Sequence, residues 1–375
     1  MAHPPEPGAL MDEAVRQGIF PGGVLHAERA GRPRWRSAHG RSALDPQGPA
    51  VGPETVYDLA SLTKPLAAAS VALQAVERGA LELDAPAGRW LPELPGAAAA
   101  LTPWHLLAHA SGLPAWRPLH LELAPGQAGT AAGQAALRAR AAREPLEAPP
   151  GARVEYSDLG FVLLEWLLER ALGLPFADAF HSLVAAPLGL TELFFVDLKD
   201  PTAAARARAG RVFAATERCP WRGRVLSGEV HDENAWAAGG VAGQAGLFGT
   251  AAAVARVGRA WLDALAGRGG PFDAGLARRF CRRTELPGPV RTLGFDTPAP
   301  VGSQAGSRLG PRAFGHLGFT GTSLWLEPER ELVVVLLTNR VHPRREDDRL
   351  RAFRPGLHDA LVDWLERGGG GEEAA

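Results

Sequence analysis

Cysteine, lysine and tyrosine are all scarce in this chain. Two cysteines, Cys219 and Cys281, are too few for a disulfide framework or a four-cysteine zinc site. No apolar run reaches the roughly 18 residues that a membrane-spanning helix needs. The first residues, Met1 to Gly8, lack a basic segment followed by an apolar one, so no signal peptide is expected. These absences point to the cytoplasm, or to the periplasm if a leader has been trimmed. A formal net charge of −1 gives no reason to expect a nucleic-acid partner or a membrane surface. Oligomeric state is not legible.

The scarcity of lysine is the most useful of these. Of 40 basic residues only Lys64 and Lys199 are lysines. Arginine stays protonated in proteins, whereas a buried lysine can give up its proton and act as a base. A lysine kept against such a bias invites a functional reading, although two lysines must fall somewhere. Tyrosine is limited to Tyr57 and Tyr156.

Hydrophobic residues make up 46% and charged residues 22% of the chain, as in an ordinary globular protein with a sizeable core. The spacing predicts a helix over 8–19, then a strand over Gly22–Glu28 and a partner over Arg34–His39 across a Gly-Pro turn. Near the other end, Thr322–Glu327 and Leu332–Thr338 read as a second strand pair. The apolar, β-branched run from Val333 suits a strand buried on both faces. A last helix is expected over Asp347–Arg367, interrupted at Pro355, with a frayed tail over 368–375.

The middle reads as helical over 61–79, Leu101–His109 and Asp158–Leu172. In the last of these Leu159, Val162, Leu163, Trp166 and Leu167 share one face. Residues 124–151, rich in Ala, Gly and Pro, read as a surface excursion. The expected fold class is α+β: an antiparallel sheet built from both chain ends, flanked by helices, with a large mostly helical insertion. Residues 1–375 form a single catalytic unit in this reading. Segments 8–58 and 240–367 make the sheet part and 59–239 the helical part.

Three short patterns carry chemistry. The first is Ser61 followed three residues later by Lys64. At the start of a helix these share a face, so the amine reaches the hydroxyl and can accept its proton. The tetrapeptide alone is also compatible with Ser61 as a helix cap and Lys64 as a solvated residue. The second pattern is Tyr156-Ser157-Asp158, directly before a helix. A tyrosine there can shuttle protons, or simply pack at a helix entrance with Asp158 as its cap. The third runs from Phe314 through His316 and Gly318 to Gly321. Its glycines permit close approach of a ligand to a strand edge; the alternative is a Gly-rich turn with an incidental histidine.

In this order the three patterns resemble those of the serine β-lactamase and penicillin-binding-protein superfamily, and most closely its class C β-lactamase-related branch. Similar text continues through Phe20–Val24, Leu81–Pro86, Leu106–Leu113, Pro149–Arg153, Gly240–Phe248 and Leu337–Arg340, so the resemblance covers roughly residues 8–367. It implies the β-lactamase/transpeptidase-like fold and a metal-free serine hydrolase with no cofactor. It also implies Ser61 as the acylated nucleophile and Lys64 with Tyr156 as the proton-transfer pair. The backbone N–H groups of Ser61 and Phe319 would form the oxyanion hole. Asp158, His316 and Gly318 would face the substrate.

Two departures from the family pattern bear on substrate. Asp158 stands where class C β-lactamases carry asparagine. An aspartate beside Lys64 favours the charged amine and so shifts the base role toward Tyr156. His316 and Leu317 replace a lysine and threonine that help hold a substrate carboxylate. The expected substrate is therefore a small ester or amide, with weak or absent β-lactamase activity. The alternatives are a D-alanyl-D-alanine carboxypeptidase or D-amino-acid amidase, a class C-like β-lactamase, and a non-catalytic binding protein that keeps the fold. Elsewhere, His231 to Asn234 reads as a polar surface loop or a part of the active-site mouth. His105 and His109 lie four apart as zinc ligands do, but lack the accompanying glutamate.

Overall fold

Alternation along one strand organises the molecule. In Leu332–Thr338 every residue is buried. Val333, Val335 and Leu337 join one apolar cluster, and Leu332, Val334 and Leu336 join another. Successive side chains leave a strand on opposite faces, so such a strand must be covered on both. The helix Ala251–Leu265 covers the first face through Val254 and Val257. Helices Pro7–Arg16 and Arg349–Glu366 cover the second through Met11, Leu357 and Leu361. Burying each Val or Leu contributes about 1.5–3 kcal/mol. Gly258 lets its helix approach closely, since a Cβ there would stand 2.7 Å from Leu326 Cδ2.

The structure, a computed structural model, describes residues 6–44 and 47–368. Most of the expected tail, from 369 on, lies outside the described residues. The main sheet has seven strands in the order Arg32–Gly40, Gly22–Arg29, Leu332–Thr338, Thr322–Glu327, Phe314–Gly318, Phe295–Asp296 and Arg291–Thr292. Neighbouring strands are antiparallel throughout. The sheet therefore joins both chain ends, with Gly23 opposite Thr338 and Gly318 opposite Thr322. Among the described residues no helix is long and apolar enough to cross a membrane.

Within the helical region, Asp158–Leu172 has the expected bounds. Ser157 Oγ caps it by accepting from the Gly160 N–H at 3.1 Å, and Gly173 ends it with φ of +67°. Other expectations need correction. The stretch 61–79 is not one regular helix: a 3₁₀ turn at Ala60–Leu62 leads into a π-helix at Lys64–Ala69 and then an α-helix at Ser70–Glu77. The helix expected over Leu101–His109 shrinks to Pro103–Leu107. The segment 124–151 is no mere surface excursion. It contains the helix Ala131–Ala141, whose Arg138 pairs with Glu165 and Glu169 of Asp158–Leu172. Nor does Pro355 interrupt the last helix, which runs from Arg349 to Glu366 through it. Proline removes one hydrogen bond there, but Leu350, Leu357 and Leu361 are buried on either side and hold both halves to the sheet.

Candidate active site

Ser61 sits on a turn that three segments tie down. The strand Tyr57–Asp58 leads into it. Asp58 Oδ1 accepts from the Ala60 N–H at 2.8 Å, and its Oδ2 from the His231 N–H at 2.6 Å. Thr63 Oγ1 donates to the Ala60 carbonyl at 2.6 Å and accepts from the Leu247 N–H at 3.1 Å. From the main sheet, Thr320 and Thr322 hydroxyls donate to the carbonyls of Asp58 and Leu59 at 2.7 and 3.1 Å. Ala60 is held at φ of +46°, in the left-handed region that an L-residue enters at a cost.

This stitching brings the Phe314–Gly318 strand against the Ser61 turn, so the third pattern is a strand and not a loose Gly-rich turn. Gly318 makes the approach possible. A Cβ at that position would stand 2.6 Å from the Leu59 carbonyl oxygen and 2.0 Å from Thr322 Oγ1.

The side chains that the first two patterns single out converge. Lys64 Nζ donates to Ser61 Oγ at 3.0 Å and to the Gln244 carbonyl at 3.0 Å, and lies 2.6 Å from Asp158 Oδ1. Ser61 Oγ and the Tyr156 hydroxyl are 2.9 Å apart, and that hydroxyl donates to Asp158 Oδ1 at 3.0 Å. Lys64 is fully buried. Burial lowers its pKa, while the Asp158 carboxylate opposes the shift. Burial, reinforced by Asp158, raises Tyr156 well above the usual phenol value. The resting structure thus disfavours a phenolate at Tyr156, and Asp158 contributes to that, contrary to the tilt toward Tyr156 read from the sequence. The pair can move the Ser61 proton over two hydrogen bonds in either direction.

Two rings and a guanidinium frame Tyr156. His109 stacks on it with centroids 4.6 Å apart, and His316 lies at 6.2 Å. Arg291, paired with Asp296, stands 5.3 Å from the ring centroid, on the opposite strand of a short hairpin. His316 Nδ1 lies 2.7 Å from the Leu317 carbonyl and so carries the proton, leaving Nε2 as a lone pair with no hydrogen-bond partner among the described residues, 4.0 Å from Asp296. Burial, and the Lys64 and Arg291 charges, hold His316 well below its ordinary pKa and therefore neutral. His105 and His109 do not form a metal site. His105 Nδ1 completes the helix cap with Thr102, and His109 Nδ1 accepts from the Ser157 N–H at 3.0 Å.

A cavity of about 700 Å³ opens over Ser61, Tyr156 and Asp158 and is bounded by His316, Gly318 and Phe319. His231 and Asp232 line it too. Of the two readings of His231 to Asn234, the active-site mouth fits and the surface loop does not: His231 is 4% exposed and stacks on Phe319 at 5.6 Å. Asp232 is half-buried; desolvation, and then the Asp158 charge, push its carboxyl up to about 6. Arg291 and Asp296 carry no recognisable sequence signal and reach the site only through the fold, whereas Gln244 lies within the family-like stretch Gly240–Phe248. Among the described residues, one cluster has ligand spacing for a metal, Glu217 with Cys219 and Glu233, and Arg345 already pairs with both carboxylates.

Comparison with known proteins bears on the family and the fold. The family model described as Beta-lactamase matches residues 8–355. Esterase EstB of Burkholderia gladioli is 31% identical over 369 residues, covering 89% of this chain and 90% of that one. A putative D-alanyl-D-alanine carboxypeptidase of Salmonella agona (strain SL483) is 28% identical over 307 residues, covering 77% of this chain and 70% of the other. Among solved structures, EstCE1, a hydrolase with promiscuous acyltransferase activity, superposes with a TM-score of 0.72 at 23% identity, over 95% of this chain and 97% of its own. With its family text, its antiparallel sheet and the serine–lysine turn all in agreement, the chain belongs to the beta-lactamase family and is a serine hydrolase of that fold.

Proposed function

We propose that this protein hydrolyses small carboxylic esters or amides through an acyl-enzyme on Ser61. The single observation that carries the reading is the closed set of contacts among Ser61, Lys64, Tyr156 and Asp158, each at 3.0 Å or less. Ser61 Oγ attacks the substrate carbonyl carbon. Its proton passes to Lys64 once that amine is neutral, with Tyr156 as the relay toward the leaving oxygen or nitrogen. The lowered pKa of the buried amine is what makes it a usable base. The backbone N–H groups of Ser61 and Phe319 receive the developing oxyanion. The carbonyl re-forms as the protonated leaving group departs, and water then releases the acid by the reverse sequence of proton transfers.

Gly318 holds the strand end close to Ser61, and neutral His316 with Leu317 lines the cavity beyond. Neither provides the charge that would anchor a β-lactam carboxylate beside the reacting bond. The 31% identity to an esterase supports the ester reading. The Salmonella relative keeps a D-peptidase or D-amino-acid amidase as a second reading.

The test is a comparison of short-chain p-nitrophenyl esters, D-amino amides and nitrocefin, with fluorophosphonate labelling of the wild type and Ser61→Ala. Ester turnover with a Ser61-dependent adduct is expected. Nitrocefin turnover matching that of the esters would overturn the substrate assignment. A protein that takes no adduct from any probe would be a binding protein on this fold.

A further inference from the structure

Asp58 lies three residues before Ser61, buried behind the turn and not in the cavity wall. Its partners come from three segments. Oδ1 accepts from the Ala60 N–H at 2.8 Å and Oδ2 from the His231 N–H at 2.6 Å, while its main-chain carbonyl accepts from the Thr320 hydroxyl at 2.7 Å. A carboxylate is costly to bury unless its oxygens are satisfied. Here each oxygen takes a backbone N–H. Asparagine has the same shape but only one acceptor oxygen, so it would set an amide donor against one of those N–H groups.

The three segments meet at the two N–H groups that face the developing oxyanion. Ala60 immediately precedes Ser61. It is held at φ of +46°, and the direction of the peptide that carries the Ser61 N–H follows from that conformation. Thr320 immediately follows Phe319. The His231 ring lies on the Phe319 ring with an interplanar angle of 26°. Arg340 Nε completes the frame by donating to the Phe319 carbonyl at 3.0 Å. One residue thus ties together the nucleophile turn, the end of the Phe314–Gly318 strand and the segment that packs on Phe319.

We propose that Asp58 is a positioning residue for the oxyanion hole: its carboxylate and carbonyl fix the gap between the Ser61 and Phe319 N–H groups, and it touches no substrate itself. This rests on the reading of Ser61 as an acylated nucleophile with those two N–H groups as its oxyanion donors. Such donors accelerate acyl transfer only when they are already aimed at the place where charge will develop. A small loss of aim weakens the transition state more than the ground state, whose carbonyl oxygen carries little charge. Loosening Asp58 therefore acts on kcat and on tetrahedral adducts, and leaves ground-state binding in place.

The experiment compares the wild type with Asp58→Asn, Thr320→Val and Thr320→Ser. It reads p-nitrophenyl butyrate turnover, inhibition by phenylboronic acid, which forms a tetrahedral adduct on a nucleophilic serine, and inhibition by butyrate. Asp58→Asn is expected to lower kcat about 10–10²-fold with KM within about threefold. It should weaken phenylboronic acid about tenfold or more and leave butyrate within about threefold. Thr320→Val removes one of the three bonds and should act in the same direction by less. Thr320→Ser keeps the hydroxyl and should recover most of that loss. A change confined to KM, or a fall in kcat with phenylboronic acid as tight as on the wild type, would overturn the role. If Asp58→Asn does not fold, Thr320→Val decides: unchanged kcat and boronic acid affinity there would overturn it too. The hydrolase reading fails separately. No Ser61-dependent adduct on the wild type would overturn that reading and the role of Asp58 with it, whereas an adduct equally tight in every variant would overturn the role of Asp58 alone.

Discussion

The two ends of the cavity handle charge in opposite ways. At the Ser61 end, Lys64, Tyr156 and Asp158 all have partners within hydrogen-bond reach before any substrate arrives. At the far end, Arg354 is buried with one neutral partner and an Nε that has none. A saturated cluster is preorganised: its groups need no rearrangement during the reaction. An unsaturated one still has a donor to satisfy. The first end therefore speaks to reaction type and the second to substrate choice. Mutations at the two ends should differ in kind, the first acting on kcat and the second on KM.

The sharpest way to break that contrast is Ser61→Ala. It should reduce ester turnover by at least about 10³-fold while leaving the stability of the fold intact, measured by steady-state kinetics and chemical denaturation on one preparation. If both were lost together, the loss of turnover would report unfolding and not the missing hydroxyl. Next comes Lys64→Arg, which keeps the charge and the ion pair with Asp158 but cannot provide a neutral amine. A loss of about 10²–10⁴-fold in kcat is expected; retention of more than a tenth of the activity would remove lysine from the base role. Tyr156→Phe should cost about 10²-fold in the acylation rate, read by a stopped-flow burst. An unchanged burst would leave Tyr156 as a packing residue.

A finer test concerns pH. The Arg291 charge lowers the pKa of both Lys64 and Tyr156. The activity that needs a neutral amine rises with pH through the Lys64 pKa, below the ordinary lysine value of 10.5. Removing the charge in Arg291→Met raises that pKa, so the rising limb of kcat/KM should move to higher pH. A limb that stays in place or moves to lower pH would show that Arg291 only packs. The smallest effect lies outside the cavity. Thr130→Ala removes the cap at the start of Ala131–Ala141 and should cost about 1 kcal/mol in chemical denaturation, without altering ester turnover.

Legibility in the sequence followed the range of the interaction. Strands Thr322–Glu327 and Leu332–Thr338 and the helix Asp158–Leu172 have the expected bounds, because each carries its own periodicity and cap. Ser61, Lys64, Tyr156, Asp158 and His316 are visible because family text surrounds them; four of them line one cavity, and Lys64 is buried within hydrogen-bond reach of Ser61. What failed was non-local. Pro355 reads as a break until the sheet that buries its neighbours is in view. His231 and Asp232 read as loop residues because nothing local reports that the Asp58 carboxylate will draw that segment inward. Arg291 and Arg354 are two arginines among many, and only packing shows that one is paired and the other is not.

The wide π-helical turn at Lys64–Ala69 has a consequence for how this chain can vary in length. Each residue added to or removed from a helix rotates everything beyond it by roughly 100°. Ser61 is fixed by the sheet on one side, and the buried face of Ser70–Glu77 is fixed by the core on the other. The extra backbone in that turn takes up the mismatch between the two. Residues 64–69 can thus exchange small side chains, but a single-residue insertion or deletion there would set the two phases against each other. Natural relatives and laboratory libraries alike should hold the spacing from Ser61 to Ser70 constant while the composition between them drifts.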